Sequence, residues 1–402
     1  MIQHFFPDTD QTINPVITIL IPALNEEITI GEFVDWCKEG LVKAGVPGQI
    51  LIVDSSTDKT KDIALAHGAE VLRVPQKGLG RAYIDAIPYI RGKYIIMGDA
   101  DLTYDMRFIT PFLEKFEQGH EFIMGSRFKG AIEPGAMPAL HRYFGTPLTT
   151  WILNRVYNSH FSDIHCGMRG VTLDALKRMK LQSQSWQYAS EMIIKAIHLD
   201  LKRTEVPIVF HKDREGRQSH HKRVGWYAPW LAGWINLKAI LTFGADFFLF
   251  KIGILMAFIG FCGTALLFNG PVNISKLGFH LHWMLFFLLI FLVGLQFFFM
   301  GILAKGLYDV EMKRSEKWKK FLALDHVIPV CTVLFLSGLV SMFSLLKEYV
   351  NAGWILSNII GQTSHHAVGG IGLILTGVVY FTSALLYNAV ILNNSHQNAN
   401  TT

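Results

Sequence analysis

The stretch Gly98-Asp99-Ala100-Asp101-Leu102-Thr103-Tyr104-Asp105 directly follows Tyr94-Ile95-Ile96-Met97, a short apolar run of the kind that forms a buried strand. Two carboxylates one residue apart, at the end of a strand, can reach one divalent cation from a tight turn. Hard cations such as Mg²⁺ or Mn²⁺ take oxygen ligands and share their shell with a substrate's phosphates. An isolated Asp-x-Asp more often only caps a helix, here the one expected from about Met106. The surrounding sequence decides between the two.

Upstream, Val16–Ile21 reads as a strand ending at Pro22-Ala23-Leu24-Asn25-Glu26-Glu27, where Asn25 is expected to cap the following helix. Gln49–Val53 is a second strand, ending at Asp54-Ser55-Ser56-Thr57-Asp58. Glu70–Val74 is a third, followed by the turn Lys77-Gly78-Leu79-Gly80-Arg81 and a helix. Downstream, Phe122–Met124 ends in Gly125-Ser126-Arg127. Strands alternating with helices predict an α/β, Rossmann-like domain with a mostly parallel sheet and helices on both faces. Ligands of such sheets bind beyond the carboxyl ends of the strands. Asn25, Asp54, Asp99, Asp101 and Arg127 all fall there. One polar turn after a strand is ordinary, but several in one sheet point to a site. The glycine turn Lys77–Arg81 matches neither the Walker nor the dinucleotide pattern.

The composition is uneven. Of 402 residues half are hydrophobic, with charges concentrated before about residue 225 and long apolar runs after it. Met1–Gln11 has acidic residues and no apolar run, so no secretory signal is expected. Cys37, Cys166, Cys262 and Cys331 show neither metal-ligand spacing nor a disulfide framework, so free thiols are expected. The net charge of +5 is modest, and nothing points to nucleic acid.

Taken together, Pro22-Ala23-Leu24-Asn25-Glu26, Asp54 with Ser56-Thr57-Asp58, and Asp99-Ala100-Asp101 resemble family 2 glycosyltransferases of the GT-A fold. Gly125-Ser126-Arg127-Phe128 and Glu205-Val206-Pro207 are similar to the polyprenyl-phosphate branch, which includes dolichyl-phosphate mannose synthases. The resemblance covers about residues 15–225. It implies donor binding by Pro22, Asn25, Glu26, Asp54, Lys77, Asp99 and Arg214. It implies a metal site at Asp99, Asp101 and Thr103, where Thr103 stands in place of the family's usual Gln. Arg127, Arg142, Thr146 and Ser219 would hold the acceptor phosphate, with Asp101, Arg127 and Arg142 carrying catalysis. Arg142 and Thr146 are four apart, so a helix would set them on one face, and a guanidinium fork suits phosphate oxygens. The usual Gly-x-Ser-Lys ending is replaced by Gly216-Arg217-Gln218-Ser219-His220-His221-Lys222. His165 reads as structural or donor-shaping. Glu191 fits a sugar contact and a buried structural carboxylate equally.

Four apolar runs reach the roughly 20 residues that cross a bilayer core: Phe247–Phe268, Leu281–Ala304, Val327–Leu346 and Gly369–Ile391. Lys305, Lys313, Arg314, Lys317, Lys319 and Lys320 crowd between runs two and three, whereas the flanking loops carry only Lys276 and Lys347. That bias places the first domain and both termini on the cytoplasmic side. Trp226, Trp230 and Trp234 recur every four residues, as on a helix lying in the membrane interface. The basic loop Arg214–Arg223 and the arginines of the middle segment would then meet phosphate headgroups. The expected organisation is a GT-A domain over 1–225, an interfacial amphipathic helix over 226–246, an all-α membrane domain of four transmembrane helices over 247–392, and a disordered tail over 393–402.

The implied reaction is metal-dependent (Mg²⁺ or Mn²⁺), inverting transfer of one sugar from a UDP- or GDP-sugar to a polyprenyl phosphate of dolichyl or undecaprenyl type. The acceptor phosphate is largely dianionic at neutral pH, so no dedicated base is needed. Transfer to a lipid or glycan hydroxyl is the nearest alternative; it would need a base, and Gln182–Tyr188 lacks the arginine of a Gln-x-x-Arg-Trp motif. A non-catalytic adaptor that binds nucleotide-sugar or lipid is the alternative of another class, and the intact acidic pair argues against it. The bilayer is an expected partner, and self-association is compatible with the sequence.

Overall fold

The computed structural model describes residues 2–8, 14–75, 78–214, 234, 237–238, 241–242, 244–275, 277–308, 316–354 and 362–399. The chain forms two compact units, Met1–Phe243 and Gly244–Thr402.

The first unit is built on one sheet of β1 (Gln3–Phe5), β2 (Ile17–Ala23), β3 (Gly48–Asp54), β4 (Glu70–Arg73), β5 (Tyr94–Met97), β6 (Phe122–Ile132), β7 (Arg169–Thr172) and β8 (Arg203–Phe210). Its order is β1-β4-β3-β2-β5-β7-β6-β8. The helices are α1 (Ile30–Ala44), α2 (Thr60–Ala66), α3 (Leu79–Ala86), α4 (Thr110–Glu117), α5 (Thr146–Tyr157), α6 (Leu173–Met179) and α7 (Tyr188–His198). The block β4-β3-β2-β5 is parallel throughout. Its strands read as unbroken apolar runs because both faces are covered: Ile17, Ile19, Leu20, Ile21, Leu51 and Ile52 are fully buried.

Past β5 the sheet becomes mixed. β7 lies antiparallel between β5 and β6, while β8 runs parallel to β6. At the other edge β1 pairs antiparallel with β4. The expectation of a mostly parallel sheet holds for the β4-β3-β2-β5 block, and beyond it the sheet is mixed. β7 is only four residues long and includes Arg169 and Gly170, so it carries no periodic signal.

In the second unit four helices are long and apolar enough to cross a membrane: Ala245–Leu266, Leu281–Gly306, Leu324–Asn351 and Gln362–Val390. A short hairpin, β9 (Val272–Ile274) with β10 (Leu277–Phe279), joins the first two. These two pack backbone against backbone. A Cβ on Gly253 would stand 2.3 Å from the Phe298 nitrogen, and one on Gly260 2.2 Å from the Phe291 nitrogen. Small residues at such crossings permit close approach where no hydrophobic force separates helix from lipid. The last span secures the entry to the third: the Tyr380 hydroxyl donates to the Phe321 carbonyl (2.6 Å), and Asn388 Nδ2 to that of Leu322 (2.8 Å). Two polar side chains of the last span are thus spent on carbonyls just ahead of the third helix.

The last helix continues to Ala399, through most of the segment expected as a disordered tail. Asn393–Ala399 holds no Gly or Pro to stop it. Most of the interfacial segment 226–246, with Trp226 and Trp230, lies outside the described residues; Trp234 is helical and exposed.

Candidate active site

Three loops leave the carboxyl ends of the adjacent parallel strands β2, β3 and β5. The register pairs Ala23 with Asp54 and Leu20 with Met97, so Asp99, two residues on, comes level with the end of β2. This convergence is what the strand order alone could not supply.

The first two loops are stitched together. The Asn25 N–H donates to Ser56 Oγ (2.7 Å), and Asn25 Oδ1 accepts from the Thr57 N–H (2.8 Å). The Glu26 N–H donates to Thr60 Oγ1 (2.9 Å). Asn25 has φ 58°, a left-handed conformation that asparagine tolerates better than most residues. It does not cap α1, as expected from the sequence; the capping position is Thr29, and Asn25 is turned across to the neighbouring loop instead. Asp54 is fully buried, accepting from the Ser56 N–H (2.9 Å) and paired with Arg73 at the end of β4. Arg73 also donates to the Ser56 carbonyl. The Arg73 side chain, about a third exposed, thus carries positive charge from the buried Asp54 to the surface at this corner. Sequence reasoning missed it; the only signal was a cation closing an apolar strand.

The acidic turn is built from within. Asp101 Oδ1 accepts both the Thr103 N–H (3.0 Å) and the Thr103 hydroxyl (2.5 Å). Leu102 between them has φ 64°, which is costly for a bulky residue and typical of functional turns. The hydroxyl and N–H of Thr103, expected beside the metal, both donate to the same Asp101 oxygen and so brace that carboxylate. Asp105 caps the turn that follows, accepting from the Arg107 N–H (3.0 Å), Nε (2.8 Å) and Nη2 (2.7 Å). Burial pushes the Asp105 carboxyl up, but the Arg107 bonds and charge outweigh it and hold it below the usual range.

The wall facing Asp99 comes from the turn before β7. A Cβ on Gly167 would lie 2.7 Å from Asp99 Oδ2 and 2.8 Å from the Tyr104 ring. The Gly167 N–H donates to the Tyr104 hydroxyl (2.8 Å). Glycine is needed here for close approach.

On the acceptor side the structure redistributes the expected roles. Arg127 is buried, and its fork is closed on Asp163, with Nε 2.6 Å from Oδ2 and Nη2 2.8 Å from Oδ1. Burial works against the Arg127 charge, but Tyr104 and the Asp163 carboxylate keep the guanidinium firmly protonated. The Nε and Nη2 donors of Arg127, expected at the acceptor phosphate, face Asp163 and form an internal clamp with it. Arg142 is half-buried, 5.5 Å over the Tyr143 ring, in the wide turn His141–Gly145 that precedes α5. Thr146 is buried, so it does not share an exposed face with Arg142. The π-type turn spaces its hydrogen bonds at i+5, which breaks the four-residue register.

Glu191 is fully buried and caged by the Gln182 N–H, the Ser183 N–H (2.8 Å each) and Lys195 Nζ (2.6 Å). Of its two readings, the structural one is therefore the fit. His165 lies 2.8 Å from Thr149 Oγ1, and burial lowers its pKa to about 4. It stays neutral at physiological pH. Arg214 pairs with Glu32 on α1. Lys77 and Ser219 lie outside the described residues.

Among the described residues no group of three or more His, Cys, Asp or Glu side chains is arranged to hold a metal. The pair Asp99 and Asp101 still suits a hard cation of the Mg²⁺ type, which binds through one or two carboxylates and takes its remaining ligands from water and substrate phosphates.

Comparison with known proteins gives two matches along the chain. Residues 18–180 match the Glycosyl transferase family 2 profile, and residues 303–391 match the Glycosyltransferase family 2 C-terminal transmembrane region. A low-salt glycan biosynthesis hexosyltransferase, Agl6 of Haloferax volcanii, is 33% identical over 86% of this chain and 83% of its own length. A dolichyl-phosphate hexose transferase of the same organism is 26% identical over 50% of this chain and 84% of its own. Among solved structures, glucosyl-3-phosphoglycerate synthase from Mycobacterium tuberculosis, bound to Mn²⁺, UDP and glucosyl-3-phosphoglycerate, superposes with a TM-score of 0.43. The two share 19% identity over 57% of this chain and 79% of that one.

Proposed function

The chain belongs to glycosyltransferase family 2, as a membrane protein with a GT-A-like mixed-sheet domain, and from that premise we propose that it moves one sugar from a nucleotide-sugar to a polyprenyl phosphate. The observation that carries this reading is the state of the carboxylates around the acidic turn. Asp54, Asp105, Asp163 and Glu191 are each held by an arginine or lysine and by backbone N–H groups. His165 is buried with its pKa near 4. The four carboxylates are thus committed to partners inside the protein rather than turned to a hydroxyl acceptor. A phosphate monoester brings its own negative charge, with a second pKa of roughly 6, and needs no base. The dolichyl-phosphate activity of one relative agrees with this choice.

Asp99 and Asp101 would hold Mg²⁺ or Mn²⁺, which offsets charge on the leaving diphosphate as a Lewis acid. The chain's own residues do the rest. Pro22, Asn25 and Glu26, with the Asp54–Arg73 pair, shape the nucleotide side, where the donor is a UDP- or GDP-sugar. Thr103 and Gly167 fix where the two acidic side chains stand. Arg142 receives the acceptor phosphate. Arg127 acts at one remove, holding the wall through Asp163. Rate enhancement then rests on in-line positioning and fixed charge, with inversion at the anomeric carbon. The lysines and arginines between the second and third spans support a cytoplasmic face for this chemistry.

The direct test is to incubate purified protein with a panel of nucleotide-sugars and polyprenyl phosphate, and to identify the glycosylated lipid by mass spectrometry. Arg142→Ala sharpens it. Losing a hydrogen bond to a charged group costs about 1.5–3 kcal/mol, so transfer to the phosphate falls by roughly one to two decades. Lys at this position restores only part, since a point charge cannot reproduce a planar fork. Donor affinity measured without lipid stays unchanged. Equal glycosylation of the free polyprenol by the wild type would replace this reading with the hydroxyl-acceptor one.

A further inference from the structure

Helix α5 turns large apolar side chains outward as well as inward. Its buried face carries Thr146 and Thr150 beside Leu153 and Val156. Its outward face, with the turn before it, carries Leu140 (51% exposed), Tyr143 (73%), Phe144 (62%), Leu148 (40%) and Trp151 (64%). A surface helix of a soluble domain keeps its apolar residues inward and shows charged and polar ones outward. The inward threonines are not misplaced. Thr149 meets His165 (2.8 Å), and Thr150 accepts from the Ile164 N–H (3.5 Å), so polar contacts fix which face turns in. The outward aromatics have no such internal explanation.

The charge around them has one sign. From Pro134 to Ser162 there is no Asp or Glu, while Arg142 and Arg155 flank the exposed face. Five outward apolar side chains fall short of the roughly 20–30 residues that each side of a stable protein interface uses. Aromatic residues with arginines at their margin are the composition of the membrane–water boundary, where an amphipathic ring sits at headgroup level. This chain also carries its own bilayer anchors, beginning at Ala245.

We infer that the outward face of Leu140–Trp151 seats the first unit on the headgroup layer of an anionic bilayer, with the aromatic and leucine side chains entering it. Combined with the reading above, on which this consequence alone rests, the seat brings Arg142 to the depth of lipid phosphates. A polyprenyl phosphate could then be engaged with its chain still in the membrane.

The test uses the full-length protein in nanodiscs containing anionic lipid, with Cys262→Ala and Cys331→Ala removing the span thiols; Cys37 and Cys166 are buried. An environment-sensitive fluorophore on Leu148→Cys is expected to shift to the blue and lose more than half its emission to lipids nitroxide-labelled high in the acyl chain. The same probe on Val42→Cys, on exposed α1, is expected to be unaffected. Adding Phe144→Ser and Trp151→Ser is expected to abolish quenching at position 148. An unquenched Leu148 probe overturns the proposal. So does a blue shift without lipid quenching in discs holding two copies, which would mean that a second copy covers the face. Quenching that persists without the two aromatics also overturns it, because tethering alone would then explain it. No sugar donor enters the measurement, so its failure is distinct from failure of the transfer reading.

Discussion

Asp101→Asn lowers sugar transfer by two to three decades and leaves the fold intact. The size follows from removing one fixed electrostatic contributor to a transition state whose leaving group gathers negative charge, which typically costs about 10²–10³-fold. The selectivity follows from the local geometry. Asp101 Oδ1 accepts the Thr103 N–H and hydroxyl, and an asparagine oxygen accepts both in the same way. The strained Leu102 turn therefore keeps its shape while the anionic charge is lost. Asp101→Ala removes both functions, so it should be as inactive and also less stable. Product formation by mass spectrometry, with thermal melting of both variants in detergent, checks the pair. An asparagine variant that turned over at the wild-type rate with a normal Mg²⁺ or Mn²⁺ requirement would remove Asp101 from the metal site.

The largest stability effect belongs to Asp163→Asn. Asp163 is fully buried and accepts from Arg127 Nε and Nη2, together with the Arg127 and His165 N–H groups. Neutralising it strands a buried guanidinium, a class of change that costs about 3–5 kcal/mol. For a unit of this size each kcal/mol moves the melting temperature by roughly 2–4 °C, so the first unit should melt roughly 6–20 °C lower. Arg127→Met, which removes the stranded charge as well, should be milder when combined with Asp163→Asn than the single Asp163 variant. The double-mutant cycle distinguishes an internal clamp from a phosphate ligand. If Arg127 served the lipid phosphate, Arg127→Met alone would cost activity without stability. The opposite pattern is expected.

Much of the nucleotide side was legible in the chain. β2, β3, β4 and β5 are short β-branched runs bounded by polar turns, and burial on both faces of a parallel block forces that pattern. The four spans were legible for the same reason, since a bilayer demands about 20 apolar residues in a row. Misreadings clustered where a side chain's partner is distant in sequence. Asn25 looks like a helix cap until Thr57 arrives from the next loop. Arg127 looks like a phosphate fork until Asp163 closes it from 36 residues away.

The sequence by itself determined the two-unit architecture, the strand-end placement of Asp99 and Asp101, and the four spans, because each depends on local periodicity and on apolar length. Only the tertiary structure decided which charges are spent inside the protein and which face outward. A carboxylate and a guanidinium read the same in a sequence whether they meet each other or a ligand. Burial at 0% exposure forces Asp163 to Arg127 and Glu191 to Lys195, because an unpaired charge there would cost too much desolvation energy to persist. The outer face of α5 belongs to the same category: Leu148 and Trp151 read in the sequence as core residues do, and only the packing shows that they look out while Leu153 and Val156 look in.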